Sequence, residues 1–241
     1  MNTTTTPIDP NTTVGELVTR QPNRSRLFEE LGIDYCCGGH KSLRQACADK
    51  GLNLDDVLAR LAQIPATPPR SSHEAAAELS LGQLIDHIVT EHHAYLRREL
   101  PRLAQLIHKV ACVHGEEDER LASLPGIYDA MQAELTDHML KEEQILFPAI
   151  RTLEESEGPG EVGFASIGQP IQVMMAEHDS TGRALETLRR LTDGFTPPDW
   201  ACNTYRAMLD GLRELEADLH QHIHEENNIL FPRALEKERA G

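Results

Sequence analysis

Aromatic residues are scarce in this chain: they make up 4% of 241 residues, and there is a single Trp. A core must then come from Leu, Ile, Val, Ala and Met, as in helix bundles, and the 39% hydrophobic content is enough to build one. Alternating β-branched runs are almost wanting, which argues against a sheet. No stretch approaches the roughly 18 consecutive apolar residues of a membrane span. The opening Met-Asn-Thr-Thr-Thr-Thr-Pro-Ile has no apolar segment of the kind a secretory leader needs. Cysteine is sparse, with five residues (Cys36, Cys37, Cys47, Cys112, Cys202). An odd, irregularly spaced set excludes a secreted disulfide framework and places the protein in a reducing cytoplasm. Basic residues are outnumbered, 23 Lys and Arg against 39 Asp and Glu, for a formal charge of −16. That balance argues against nucleic acid and anionic membranes as partners, and solubility accounts for most of it.

The prolines that are present divide the chain. Residues 1–10 are polar and read as disordered. A small domain of short helices is expected over 11–63, a Pro-rich linker over 64–79, and a larger domain over 80–238. In the small domain, Thr13-x-x-Glu16 and Ser42-x-x-Gln45 fit the reciprocal cap of a helix start. Gly32 and Gly51 fit helix ends, and Asn53 fits a cap. Some 50 residues make a thin core, so this part should lean on the larger one or on a partner. In the larger domain, Ser80-x-x-Gln83 opens the first of four long helices. Breaks at Gly115, 154–168 and 192–198 separate the rest, and short connections imply an up-down four-helix bundle. The expected fold class is all-α.

An internal repeat carries the chemistry. His138-Met-Leu-Lys-Glu142-Glu-Gln-Ile-Leu-Phe-Pro148 recurs as His222-Ile-His-Glu-Glu226-Asn-Asn-Ile-Leu-Phe-Pro232. His and Glu four residues apart share one helix face. The apolar seams decide which histidines point inward. They run Ile127, Met131, Leu135, His138, Glu142, Ile145; Ile171, Met174, His178, Thr181, Leu185, Leu188; and Tyr205, Met208, Leu212, Leu215, Leu219, His222, Glu226, Ile229. In the first helix the seam through His93 is apolar over its length, whereas the one through His92 meets Glu99 and Arg102.

A lone seam histidine is more often a hydrogen-bonded core residue than a ligand. Four of them, with two glutamates at matching positions, are better explained by two divalent ions bridged by both carboxylates, because a buried carboxylate without compensation costs several kcal/mol. Iron or manganese suits the set, and zinc also accepts it. The ferritin-like Glu-x-x-His spacing is absent from all 12 histidines. His40, His73, His87, His108, His220 and His224 are expected to be solvated, and His92 to orient a ligand. His114 lies about five turns beyond His93, roughly 30 Å along a straight helix, and reads as a cap or surface residue. Pro148 and Pro232 should kink or end their helices. Ile145, Leu146, Ile229 and Leu230 should close the apolar end of the site.

Asp34-Tyr-Cys36-Cys37-Gly-Gly39 precedes the Ser42 helix. Adjacent Cα atoms, about 3.8 Å apart, are closer than a relaxed disulfide allows. The pair is then a strained bond, two separate thiols, or two small residues filling a turn. The following helix start should lower a nearby thiol pKa. Cys47, Cys112 and Cys202 read as ordinary buried cysteines.

These segments together resemble the iron-sulfur cluster repair family. Asp-Tyr-Cys-Cys-Gly-Gly followed by Ser-Leu-x-x-Ala-Cys is similar to its short N-terminal domain. The two His-x-x-x-Glu repeats, the second ending Phe-Pro-Arg-Ala-Leu, and Val-Met-x-x-Glu-His-Asp around His178 resemble its hemerythrin-like domain. The resemblance covers nearly the whole chain. It implies a non-haem centre of two iron ions, carboxylate-bridged and open to an oxo bridge. His93, His138, His178 and His222 would be terminal ligands, and Glu142 and Glu226 the bridges.

The resemblance further implies repair of clusters damaged by nitric oxide or peroxide, by iron donation. Damaged iron-sulfur proteins would be the partners, and Cys36 and Cys37 would serve redox or partner contact. A homodimer is compatible with it. The alternatives are a di-iron enzyme that reduces nitric oxide or a peroxide, and a small-gas-binding sensor. Fewer histidines and an added cysteine domain argue against reversible oxygen carriage. The Gly-rich 154–168 connection is longer than the family pattern.

Overall fold

The structure, a computed structural model, describes residues 8–65, 76–156 and 166–240. The disordered stretch expected over 1–10, the linker over 64–79 and the Gly-rich connection fall largely outside them. Among the described residues there is no β-strand. The short helices α1 (Val14–Arg20), α2 (Ser25–Leu31), α3 (Leu43–Lys50) and α4 (Leu54–Ala62) come first. Four long helices follow: α5 over 81–114, α6 over 124–155, α7 (Gly168–Leu191) and α8 over 203–240. Thr13, Ser42 and Asn53 cap α1, α3 and α4 through their side chains. Gly32 and Gly51 close α2 and α3 at φ 65° and 66°, where a Cβ would be strained. Ser80 and Gln83 complete the full reciprocal cap on α5.

In the bundle, α5 packs on α6 and α8, and α6 packs on α7. The repeat extends beyond Pro148 and Pro232, because a Glu six residues after each caps another helix. Glu154 accepts from the backbone N–H groups of Leu81 and Gly82 at 2.7 and 2.8 Å, at the start of α5. Glu238 accepts from the N–H of Ile167 at 2.8 Å, at the start of α7. Each carboxylate satisfies N–H groups that a helix start leaves unpaired and sits at the positive end of its dipole.

Three of the long helices widen into a π turn: Val89–His93 in α5, Glu142–Leu146 in α6 and Glu226–Leu230 in α8. A π turn inserts an extra residue per turn and recurs at functional sites. Here all three lie at the histidine and glutamate seams. They also correct the expectation for the prolines. Pro148 and Pro232 follow the wide turns by two positions, and neither helix ends there. The missing N–H falls where the hydrogen-bond register has already shifted, so the ring avoids the clash it meets in a regular turn.

The bundle core is split in two. One apolar cluster holds Leu96, Leu103, Tyr128, Leu135, Leu185 and Leu219. The other holds Ile85, Leu146, Phe147, Ile171, Leu230 and Phe231. Between them along α5, α6, α7 and α8 lies a buried layer of His93, His138, Glu142, His178, His222 and Glu226. The third and fourth seams are buried as expected. In α6, Tyr128 takes the place expected of Ile127, and Ile145 is exposed rather than closing the site. The small helices carry their own core of Val14, Leu17, Phe28, Tyr35, Leu43 and Leu61.

The small helices lean on α8. Asn228 donates from Nδ2 to the carbonyl oxygen of Cys36 at 3.0 Å. The ring of Tyr35 meets that of His224 edge-on, with centroids 5.6 Å apart. The approach is close enough that a Cβ built on Gly15 or Gly39 would lie 2.3 or 2.2 Å from Asn228 Oδ1. His224 is therefore buried, not solvated as its sequence position suggests, and burial pushes its pKa down to about 4.

Candidate metal centre

The repeat delivers His138 and Glu142 from α6 and His222 and Glu226 from α8, each pair one turn apart on an inward face. His93 from α5 and His178 from α7 face them, and all six side chains are buried. They form two overlapping sets. His93, His222, Glu142 and Glu226 can bring one ligand atom each within 4.8 Å of one another, and so can His138, His178, Glu142 and Glu226.

The carboxylates join the sets. Glu142 turns Oε2 to His93 Nε2 and Oε1 to His138 Nε2, both at 3.3 Å. Glu226 turns Oε1 to His222 Nε2 and Oε2 to His178 Nε2, both at 3.1 Å. Each carboxylate thus offers one oxygen to each histidine pair.

Outer partners fix three of the imidazoles. His93 Nδ1 meets Glu143 Oε1 at 2.6 Å, His138 Nδ1 meets Glu177 Oε2 at 2.8 Å, and His178 Nδ1 meets Asn227 Oδ1 at 2.9 Å. A ring that donates from Nδ1 presents the Nε2 lone pair to the centre, the tautomer a metal ligand requires. Glu143 and Asn227 occupy the same place in the two repeats, directly after Glu142 and Glu226. Each of the three partners stands on a different helix from the imidazole it braces, so nothing in the local sequence shows which histidine it meets. Arg97 holds Glu143 at 2.6 Å, and Lys141 pairs with Glu177.

The residues present fit cations. Both oxygens of Glu142 and Oε2 of Glu226 are buried and meet no donor with hydrogen-bond geometry. His138 and His178 bring their Nε2 atoms to 3.0 Å, close enough to share a proton and, once it is displaced, to face a common cation. Burial and the opposed Glu226 push the Glu142 pKa up, but His138 and His93 outweigh them and hold it below the usual carboxylate range. Burial likewise acts upward on Glu226, and His222 and His178 outweigh it. Both therefore stay ionised. Burial lowers His222. Burial lowers His138, but the charges of Glu142 and Glu226 and the hydrogen bond to Glu177 outweigh it and move the pKa to about 9, so a cation must displace that proton to bind. Hard carboxylate oxygens with neutral imidazoles are donors for iron, manganese or zinc.

His92, like His93, is buried. The π turn at Val89–His93 breaks the 3.5-residue register, so adjacent residues both face inward. His92 lies flat against His222, with centroids 5.1 Å apart and planes 2° off parallel. His87 is also buried, contrary to expectation, because it lies in the same inward stretch. His114 ends the regular part of α5, far from the centre, with Nδ1 2.7 Å from Glu117 and Nε2 3.4 Å from Cys202 Sγ.

Cys36 and Cys37 are free thiols. They line a cavity of about 440 Å³ between the small helices and the bundle, together with Asp34, Asp179 and Glu216. Cys37 lies beside Gly182 of α7, one turn beyond His178: a Cβ there would be 3.8 Å from its Sγ. The expected lowering of a thiol pKa does not occur at Cys36. Its hydrogen bond with Cys37, its burial and the Asp34 carboxylate push it well above the ordinary value. Cys112 and Cys202 are exposed rather than buried. Cys202, at the start of α8, carries the lowered pKa instead, about 7, through the N–H of Tyr205 and the ring of His114.

Fold and site together define a four-helix cation-binding bundle joined to a small cysteine-bearing helical unit. The profile of the hemerythrin HHE cation binding domain matches residues 84–234, and that of a domain of unknown function (DUF542) matches 10–64. The chain is 41% identical over 225 residues to the iron-sulfur cluster repair protein YtfE of Pectobacterium atrosepticum, covering 93% of this chain and 97% of that one. It is 41% identical over 228 residues to the protein of the same name from Yersinia pseudotuberculosis, covering 95% and 98%. The Enterobacter sp. protein of that name is 41% identical over 222 residues, covering 92% and 96%. The chain belongs to the iron-sulfur cluster repair family, whose larger domain is a hemerythrin HHE cation binding domain. No helix among the described residues is long and apolar enough to cross a membrane.

Proposed function

We propose that the protein holds two iron ions and donates iron to iron-sulfur clusters damaged by nitric oxide or peroxide. One observation carries the two-ion reading: Glu142 and Glu226 each offer one oxygen to the His93–His222 pair and one to the His138–His178 pair. His93, His222 and the two carboxylates would hold one ion, and His138, His178 and the same carboxylates the other. The names of the similar proteins support cluster repair as the task.

When bound, iron supplies the cargo for transfer and the redox capacity of a ferrous pair. The protein's own part is to keep the carboxylates ionised, brace the imidazoles through Glu143, Glu177 and Asn227, and exclude water with the two apolar clusters. Imidazole and carboxylate retain iron(II) less firmly than the thiolates of a cluster do, which sets the direction of transfer. Cys36 and Cys37 line the neighbouring cavity, Cys37 beside Gly182 one turn along α7 from His178, and are the thiols through which a damaged cluster protein or a redox partner would engage.

The test loads the full chain anaerobically with isotopically enriched iron and mixes it with a cluster enzyme inactivated by nitric oxide. The labelled iron should appear in the restored cluster, and the Glu226→Gln chain should deliver none. Restoration without the label, or equal delivery by the variant, would overturn the reading.

A further inference from the structure

A third group of metal-ligating side chains lies beside the centre and uses none of its six residues. His87 and His92 come from α5 and Glu225 from α8, and one ligand atom of each falls within 4.8 Å of the others. Glu225 Oε2 is 3.4 Å from His87 Nε2 and 3.6 Å from His92 Nε2. The other ends of His92 and Glu225 are braced. His92 Nδ1 meets Asp218 Oδ1 at 2.9 Å, and Glu225 Oε1 accepts from Gln221 Nε2 at 2.8 Å. A His92 ring that donates Nδ1–H to Asp218 and gives up its second proton to an incoming cation would present the Nε2 lone pair on the side of Glu225.

The internal repeat supplies a built-in comparison. Lys141 lies three residues after His138, and Glu225 three after His222. Glu177 directly precedes His178, and His92 directly precedes His93. On one half of the bundle these positions carry an ion pair, Lys141 with Glu177, whose side chains are 37% and 31% exposed. That pair is sufficient to brace His138. On the other half the same positions carry His92 and Glu225, 1% and 0% exposed, with His87 added at 7%. Where that half carries a partly exposed ion pair, this one carries two imidazoles and a carboxylate in a dry setting. Two His and one Glu are a donor set of zinc sites that keep a fourth position open, and two His with one carboxylate also suit iron(II).

We propose that His87, His92 and Glu225 form a third, mononuclear metal site that takes a divalent transition-metal ion, zinc or iron(II). It shares no ligand with the dinuclear centre, so it stands or falls independently of that reading.

The test titrates zinc(II), and separately anaerobic iron(II), into the metal-free full chain and counts retained ions by mass spectrometry. Two variants accompany the wild type. His87→Ala removes one ligand. The double variant His92→Glu, Glu225→Lys installs on this half the ion pair that the other half already carries. Each should retain one ion fewer than the wild type with at least one of the two metals, with helical circular dichroism preserved. Wild-type crystals soaked in the retained metal should show an anomalous peak among the three side chains. Equal ion counts in wild type and both variants with both metals would overturn the proposal, as would absence of that peak. Loss of ions through Glu142→Gln reports on the dinuclear centre alone and leaves this result unaffected.

Discussion

Glu142 and Glu226 reach both histidine pairs, whereas each histidine serves only one. Substitutions should divide accordingly. His93→Ala should cost the chain one ion and Glu226→Gln two, counted by mass spectrometry against the wild type; equal losses would contradict a shared-carboxylate centre. Thiol chemistry is equally specific to position. Cys202 stands near the start of α8 against His114, and its pKa of about 7 predicts half-maximal alkylation near that pH. His114→Ala should move the midpoint up toward the ordinary 9.0. Cys36, buried between Cys37 and Asp34, should be alkylated more slowly than Cys202. Peptide mass spectrometry after iodoacetamide at several pH values checks all three, and first labelling at Cys36 would refute them. At this scale the seam residues were legible, because His and Glu interrupt otherwise apolar 3.5-residue runs. Glu143, Glu177 and Asn227 were not, because each braces a histidine on a different helix and no local spacing records that contact.

At the scale of the helix, the repeat is a structural unit longer than its His-x-x-x-Glu segment. It runs from His138 to Glu154 and from His222 to Glu238, and its last residue closes the start of α5 or α7. Replacing either carboxylate, as Glu154→Gln or Glu238→Gln, should destabilise the chain by about 1 kcal/mol, the usual size of a lost helix cap. Thermal melts of the two variants measure this, and an unchanged midpoint in both would show that the caps carry no weight. The helix boundaries were readable from Ser80, Gly32, Gly51 and Gly115. The π turns were not, since apolar periodicity assumes one regular register throughout. Their trace in the sequence is indirect: adjacent buried His92 and His93, and a Phe-Pro after each His-x-x-x-Glu that did not stop its helix.

Across the whole molecule, the ionisable layer separates two apolar clusters, and the small helices cover one side of α8 near it. Gly39 sits where that cover touches Asn228, and a Cβ there would also lie 2.7 Å from the carbonyl oxygen of Tyr35. Backbone cannot yield as a side-chain tip can, so Gly39→Ala should cost on the order of 1–3 kcal/mol, as overpacking does. It should also loosen the small helices from the bundle. Faster amide exchange in α1 and around Cys36, with the bundle helices unchanged, is the expected result, and uniform protection would contradict it. The thin core of about 50 residues is the reason to expect this dependence; which face would be covered was not legible, since His224 reads as a solvated position.

The most direct test of the account is anomalous diffraction from crystals of the iron-loaded chain, measured on both sides of the iron absorption edge. Two iron peaks are predicted, one between His93 and His222 and one between His138 and His178, with Glu142 and Glu226 reaching both. A single peak, or none at the iron edge, would contradict it.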